Sequence, residues 1–173
     1  MSSEPKEKSG RWAALRRLAP RLPGKVPLIT QLSAADCGAA CLAMVLGYYG
    51  RPMSVDSIRN ALGGTSQGVN ARQLVDAARR LGLRSRGVKL ELAQLKFAPR
   101  GTILHWEMNH FVVLDKVDRL GARILDPAVG PRRVTWKDLG ERCTGVAIML
   151  EPGPDFRPEN KRKGQWGRYA RWL

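Results

Sequence analysis

The chain has 173 residues, a hydrophobic content of 43% and a net charge of +15. That length and apolar fraction suit one domain with a core of its own, and they exclude a disordered chain or one that depends on disulfides. No run approaches the ~20 apolar residues of a membrane-spanning helix, and Gly63-Gly64-Thr65-Ser66 lacks the Gly-Lys-Ser/Thr of a phosphate loop, so nucleotide chemistry within this stretch is excluded as well.

The basic charge gathers at the two ends. Residues 1–30 and residues 157–173 each carry +5, and the much longer middle carries only +5. From Arg11 to Leu22 the residues Trp12, Leu15, Leu18 and Leu22 recur at helical spacing with arginines between them. This predicts a short basic amphipathic helix, interrupted by Pro20. Pro20, Pro23, Gly24 and Pro27 make an extended linker. Residues 1–25 therefore read as an arm and linker, 26–155 as the body, and 156–173 as a basic tail carrying Trp166, Tyr169 and Trp172. Basic and aromatic residues together suit an anionic membrane surface, with solvated, frayed termini as the equal alternative. Nucleic acid ranks below both, because zinc-finger spacing and ribonucleoprotein aromatic motifs are missing. The first 30 residues lack the apolar core of a secretory signal, and three cysteines is an odd, low number. Reduced, cytosolic thiols are the expectation.

Within the body, Asp36 to Tyr49 predicts a helix capped by Asp36 and ended by Gly47 and Gly50. Ser54 caps a second helix reaching Leu62, and Gly63 to Val69 reads as a loop. Asn70 caps a third helix with Ala71, Leu74, Val75, Ala78 and Leu81 on one face, stopped by Gly82. The period then changes to two. Leu83–Lys89, Thr102–Trp106, His110–Val117, Ala122–Leu125, Arg132–Thr135 and Val146–Leu150 read as strands, interrupted by a short helix over Trp136–Arg142. Helices in the front half and mostly antiparallel strands in the back half give an α+β fold, with a cleft where the halves meet.

The chemistry concentrates in Gln31-Leu-Ser-Ala-Ala-Asp36-Cys37-Gly38-Ala-Ala-Cys41. Cys37 falls in the first turn of a predicted helix, where backbone N–H groups and the dipole favour a thiolate. Gly38 is expected to let a substrate backbone approach. Gln31, six residues upstream, folds back so that its amide joins the Cys37 N–H as an oxyanion hole. A thiolate hydrolase also needs a base, and there are two histidines, His105 and His110. His110 opens the strand Phe111-Val112-Val113-Leu114. Asp126 ends the next strand beyond the Asp118–Gly121 turn, which brings it beside His110. Asp115, on the other strand face, and Asp118, in the turn, are poorer partners. His105 lies on the face opposite His110 and is read as wall or core. Cys41 is read as packing, Cys143 as buried and inert, and Asp36 as a helix cap. A zinc site from Cys37, Cys41, His105 and His110 fits poorly, because cysteines four residues apart on a helix make a bad structural zinc pair.

The set Gln31, Asp36-Cys37-Gly38, Cys41, Tyr48-Tyr49-Gly50, Leu104-His105-Trp106, His110 to Leu114 and Asp126-Pro127 resembles the C39 peptidases. These are papain-like cysteine protease domains at the N-terminus of bacteriocin-processing ABC transporters. The resemblance runs in order from about Val26 to Pro152. It implies a papain-like α+β fold with N-terminal helices packed on a mainly antiparallel C-terminal sheet. By the same likeness Cys37 is the nucleophile, His110 the general base and acid, Asp126 its orienter and Gln31 the oxyanion donor. The implied substrate is a ribosomal precursor peptide, cut after a Gly-Gly or Gly-Ala pair that ends its leader. A narrow slot beside Cys37 would reject bulkier residues there, and the rest of the leader would dock as an amphipathic helix in an apolar groove. The implied partners are ABC transporter membrane and ATPase domains, which this chain does not contain, and the implied location is the inner face of the cell membrane. No metal or cofactor is expected. Two other readings compete: a catalytically silent leader-binding domain, and a basic membrane adaptor.

Overall fold

The computed structural model describes residues 24–64 and 68–159. The helix expected over Arg11 to Leu22 and the aromatic tail from Lys161 lie outside the described residues. A 3-10 turn, Ala34–Asp36, leads into helix α1, Cys37–Tyr48. Helices α2, Val55–Ala61, and α3, Ala71–Arg80, follow. Next come strand β1, Leu83–Lys89, a second 3-10 segment, Leu92–Phe97, and strands β2, Ile103–Trp106, β3, His110–Asp118, β4, Gly121–Asp126, and β5, Gly130–Thr135. Helix α4, Trp136–Arg142, and strand β6, Cys143–Pro152, complete the order. Among the described residues the expected helices and strands are all present, and the 3-10 segment at Leu92–Phe97 is an addition.

Local sequence explains the helix starts. Ser54 Oγ accepts the Ser57 N–H at 3.2 Å. Asn70 Oδ1 accepts the Gln73 N–H at 2.9 Å while Gln73 Oε1 accepts the Asn70 N–H at 2.8 Å, a reciprocal cap that satisfies two otherwise orphaned donors. Helix α1 is apolar on every side (Cys-Gly-Ala-Ala-Cys-Leu-Ala-Met-Val-Leu) and is accordingly buried along nearly its whole length.

The six strands form one antiparallel sheet in the order β1-β6-β2-β3-β4-β5. Alternation sorts its side chains into two cores. Ile103, Phe111, Val113, Leu125, Ile148 and Leu150 pack under α1, α2 and α3. Leu104, Trp106, Val112, Leu114 and Ile124 face the other way, covered by Leu95 of the 3-10 segment and Leu139 of α4. Each fully buried side chain of this kind contributes roughly 1.5–3 kcal/mol, so the sheet is anchored from both faces. Gly121 closes the β3–β4 hairpin at φ 147°, where a Cβ would fall 2.0 Å from the Val134 carbonyl oxygen. The chain remains packed beyond β6: the Phe156 ring meets Tyr49 edge-on at 6.4 Å, and Glu159 donates its N–H to the Gly50 carbonyl at 2.9 Å.

Two consequences of this framework place the site. The sheet brings the start of β3 and the end of β4 together, and the β2–β3 turn stands beside them. The first turn of the buried helix α1 ends against that corner.

Candidate active site

Cys37 is the first residue of α1 and is 5% exposed. Its neighbour Asp36 does not cap the helix through its side chain, contrary to expectation. The Asp36 carboxylate instead turns back and accepts the Ser33 N–H at 2.9 Å and the Ser33 hydroxyl at 2.8 Å. It also takes a two-pronged ion pair from Arg59, with Nε and Nη2 each at 2.7 Å. Arg59 holds this buried carboxyl below its usual range. The pair ties α2 to the entry of α1 and so fixes the turn that presents Cys37.

Gly38 is also used differently from the expectation. A Cβ there would lie 2.5 Å from Val69 Cγ2 and 3.1–3.2 Å from the Leu74 methyls. The missing side chain is filled by the protein's own packing, which seats Val69 and α3 against α1.

His110 Nε2 lies 2.8 Å from Asp126 Oδ1, leaving Nδ1 as the nitrogen for the sulfur. The imidazole is raised from 6.5 to about 9, first by its hydrogen bond with Cys37, against desolvation, and further by the hydrogen bond to Asp126. Asp126 is 3% exposed. Burial pushes its carboxyl up, but His110, the Ala128 N–H at 2.9 Å and Arg132 Nη1 at 3.3 Å together bring it below its usual value. The rejected carboxylates are engaged elsewhere: Asp115 with Arg100 and Arg123 at 3.3 and 3.6 Å, and Asp118 with Arg133 at 2.6 Å.

Gln31 donates its backbone N–H to the Pro127 carbonyl at 2.9 Å, which joins its loop to the β4–β5 turn beside Asp126. Its Oε1 is buried and accepts no hydrogen bond from the described residues. A buried polar atom without an internal partner is uncommon.

Cys37 opens into a cleft of about 900 Å³ whose walls include Gly63, Gly64, Gly68, Val69, Met108 and Asn109. A smaller cavity of about 310 Å³ holds Gln31, His110 and Asp126, and Ala34 and Asn109 border both. The cleft-lining glycines and Val69 were not singled out as site residues from sequence, although three glycines between Leu62 and Asn70 are a visible signal of a bare backbone wall.

The remaining candidates separate cleanly. His105 Nδ1 meets Thr144 Oγ1 at 2.9 Å, and its ring stacks obliquely on Phe111 at 5.1 Å, on a wall of the cleft. Trp106 is core. Cys41 is fully buried and donates its thiol to the Phe111 carbonyl at 3.3 Å, and burial holds that thiol far above its ordinary value. Cys143 is half-buried rather than buried, because it opens β6 at the margin of the second core. Among the described residues no helix is long and apolar enough to cross a membrane.

The family model described as the peptidase C39 family matches residues 25–155. The chain is 36% identical over 135 residues to the colicin V secretion/processing ATP-binding protein CvaB of Escherichia coli, covering 78% of this chain and 19% of that protein. It is 30% identical over 148 residues to the transport/processing ATP-binding protein ComA of Streptococcus pneumoniae, covering 81% and 21%. The chain thus spans about a fifth of the length of these curated relatives. Among solved structures it is similar to a double glycine motif protease from an AMS/PCAT transporter in complex with the leader peptide, with a TM-score of 0.69, 37% identity, and coverage of 78% of this chain and 96% of that one. It is also similar to the peptidase domain of Streptococcus ComA, a bi-functional ABC transporter involved in a quorum sensing pathway, with a TM-score of 0.68, 28% identity, and coverage of 73% and 98%.

Proposed function

The chain belongs to the peptidase C39 family of cysteine peptidases, and on that footing we propose that it cuts precursor peptides after a double-glycine motif, releasing the leader from its cargo. The observation that carries this reading is the placement of His110, whose Nε2 is hydrogen-bonded to Asp126 and whose charged form is favoured by Cys37, in a cavity that adjoins the glycine-walled cleft into which Cys37 opens.

In the reaction, the Cys37 thiolate attacks the carbonyl carbon of the second glycine. Negative charge moves to the carbonyl oxygen, where the Cys37 N–H and the Gln31 amide receive it. Because Gln31 Oε1 accepts no internal hydrogen bond, no contact at that oxygen stops the amide from turning its N–H₂ toward this charge. The tetrahedral intermediate collapses, the C–N bond breaks, and the His110 imidazolium gives its proton to the departing amine. The leader remains as a thioester on Cys37. Neutral His110 then takes a proton from water, the hydroxide attacks the thioester, and the sulfur leaves as thiolate. Asp126 keeps the His110 ring in one tautomer and orientation throughout.

Gly63, Gly64 and Gly68 give the cleft a stretch of bare backbone wall, along which an extended peptide backbone can lie closely. The partners in this reading are a leader-bearing precursor peptide and the membrane and ATPase domains of an ABC transporter, at the cytoplasmic face of the membrane. The basic ends of the chain would favour an anionic lipid surface there.

The test is a cleavage assay under reducing conditions. The substrate is a synthetic leader ending in Gly-Gly, followed by a short cargo, with the cut located by mass spectrometry. One cut after the second glycine, absent in Cys37→Ala, is expected. Binding of the leader without cleavage would overturn the reading in favour of a docking domain.

A further inference from the structure

The smaller cavity beside the reacting pair holds one permanent charge in contact with Asp126. Arg132 lies on β5, opposite Ile124 of β4 and therefore two residues along from Asp126 on the neighbouring strand. Its Nη1 stands 3.3 Å from Asp126 Oδ2, whereas Oδ1 is taken by His110 and the Ala128 N–H. The two oxygens therefore have separate duties. One meets the imidazole and a fixed backbone donor, and the other meets a guanidinium.

We propose that Arg132 is a positioning residue of the reaction: it orients Asp126 and shares its charge, and so sets how firmly the carboxylate holds the His110 imidazolium. This rests on the assignment of Cys37, His110 and Asp126 as the reacting set. The adjacent pair Arg133–Asp118 shows the contrast. There both partners are at least partly open to solvent, at 61% and 30% exposure, and such pairs contribute little. Asp126 has a side chain only 4% exposed while that of Arg132 is 37% exposed, so the guanidinium reaches a buried carboxylate from the rim of the cavity and is screened in part, though less than the Arg133–Asp118 pair. Without Arg132 more of the Asp126 charge would fall on His110. An imidazolium held too firmly gives up its proton less readily to a leaving amine.

The charged and titratable groups around Asp126 come from every neighbouring element: His110 from β3, Arg132 from β5, Cys37 and Cys41 from α1, Glu107 from the β2–β3 turn and Arg142 from α4. Arg142 is spent on Glu107 at 2.6 Å. Cys41 is a thiol held neutral by burial. Among the described residues Arg132 is therefore the permanent cation, beside the His110 imidazolium, that acts on the carboxylate directly. Removing it withdraws positive charge from both members of the Cys37–His110 pair. Thiolate formation and loss of the imidazolium proton should both move to higher pH.

The experiment follows alkylation of Cys37 by iodoacetamide against pH in the full chain, read by peptide mass mapping in a Cys143→Ser background. Alkylation reports the thiolate directly. Arg132→Gln should move the midpoint to higher pH by about half a unit, and Arg132→Lys should return it to the parent value. Combining Arg132→Gln with Asp126→Asn should shift much less than Arg132→Gln does alone. Arg132→Met, which keeps the apolar stem without the charge, serves as a second neutral variant should Arg132→Gln fail to fold. Superimposable profiles for parent and neutral variants would overturn the proposal. So would a lysine variant that behaves like the neutral ones. No peptide substrate is needed, so a chain that cleaves no leader counts against the proposed function and leaves this comparison to be decided by alkylation.

Discussion

His110 Nε2 and Asp126 Oδ1 lie 2.8 Å apart although the two residues are sixteen positions apart in the chain. The β3–β4 hairpin brings them together, one residue opening its strand and the other closing it. The contact uses one ring nitrogen of the imidazole and leaves the other for Cys37. An aspartate here does two things at once: it fixes the tautomer and it favours the charged ring.

Asp126→Asn should therefore lower kcat on a double-glycine leader by roughly two orders of magnitude, with a smaller change in KM. The amide retains the volume but carries no charge, and it can present an N–H where an acceptor is needed. Steady-state kinetics with the leader substrate checks the split.

The raised imidazole also makes stability depend on pH. A group whose proton is held more tightly in the folded state contributes stability that is fully present below its unfolded value, here 6.5, and is lost as pH rises through the folded value of about 9. Thermal melts between these limits should show a decline in the parent. The decline should flatten in His110→Ala, and an equally steep decline there would contradict it.

Gly38→Ala should destabilise the fold by about 1–3 kcal/mol. The new methyl meets Val69 Cγ2 at 2.5 Å, and valine, branched at Cβ, has little freedom to yield. Adding Val69→Ala should recover part of the loss, as measured by urea denaturation. If Gly38 mattered only for substrate approach, activity would fall with no loss of stability.

The β2–β3 turn carries left-handed backbone at two residues with side chains, Glu107 at φ 47° and Met108 at φ 65°. The Asn109 N–H closes it onto the Trp106 carbonyl at 3.3 Å, and Arg142 clasps it through Glu107. Such backbone suits glycine or asparagine. Because the Met108 side chain is 77% exposed and loses little on removal, Met108→Gly should stabilise the protein by about 1 kcal/mol. A chemical denaturation curve displaced to lower denaturant would contradict this.

Much of the frame was legible because it depends on local signals. Ser54 and Asn70 announce helix starts through their own side chains, and the period-two runs from Leu83 onward show strands whatever they pair with. The His110–Asp126 contact was legible too, because a single hairpin turn at Asp118–Gly121 joins their two strands, although the ladder between them shifts register at Leu114–Lys116, which the sequence does not announce. What escaped depends on partners far away in the chain. Asp36 has the composition of a cap, and only the fold reveals Arg59, twenty-three residues on, in the way. Gly38 looks like an opening until Val69 is seen to fill it. The Glu107–Met108 turn lacks the asparagine and glycine that signal a two-residue hairpin. The 3-10 segment at Leu92–Phe97 buries only Leu95 and so leaves no periodic trace.

The nucleophilic role of Cys37 is tested most directly by trapping the covalent intermediate. The full chain would be mixed with a leader ending in Gly-Gly plus cargo, quenched in acid within the first turnovers, and mapped by mass spectrometry. The expected product is a leader acyl group, ending at the second glycine, on the peptide that contains Cys37, with no such product in Cys37→Ala. Cleavage that persists in Cys37→Ala, or an acyl group found on Cys143 instead, would contradict it.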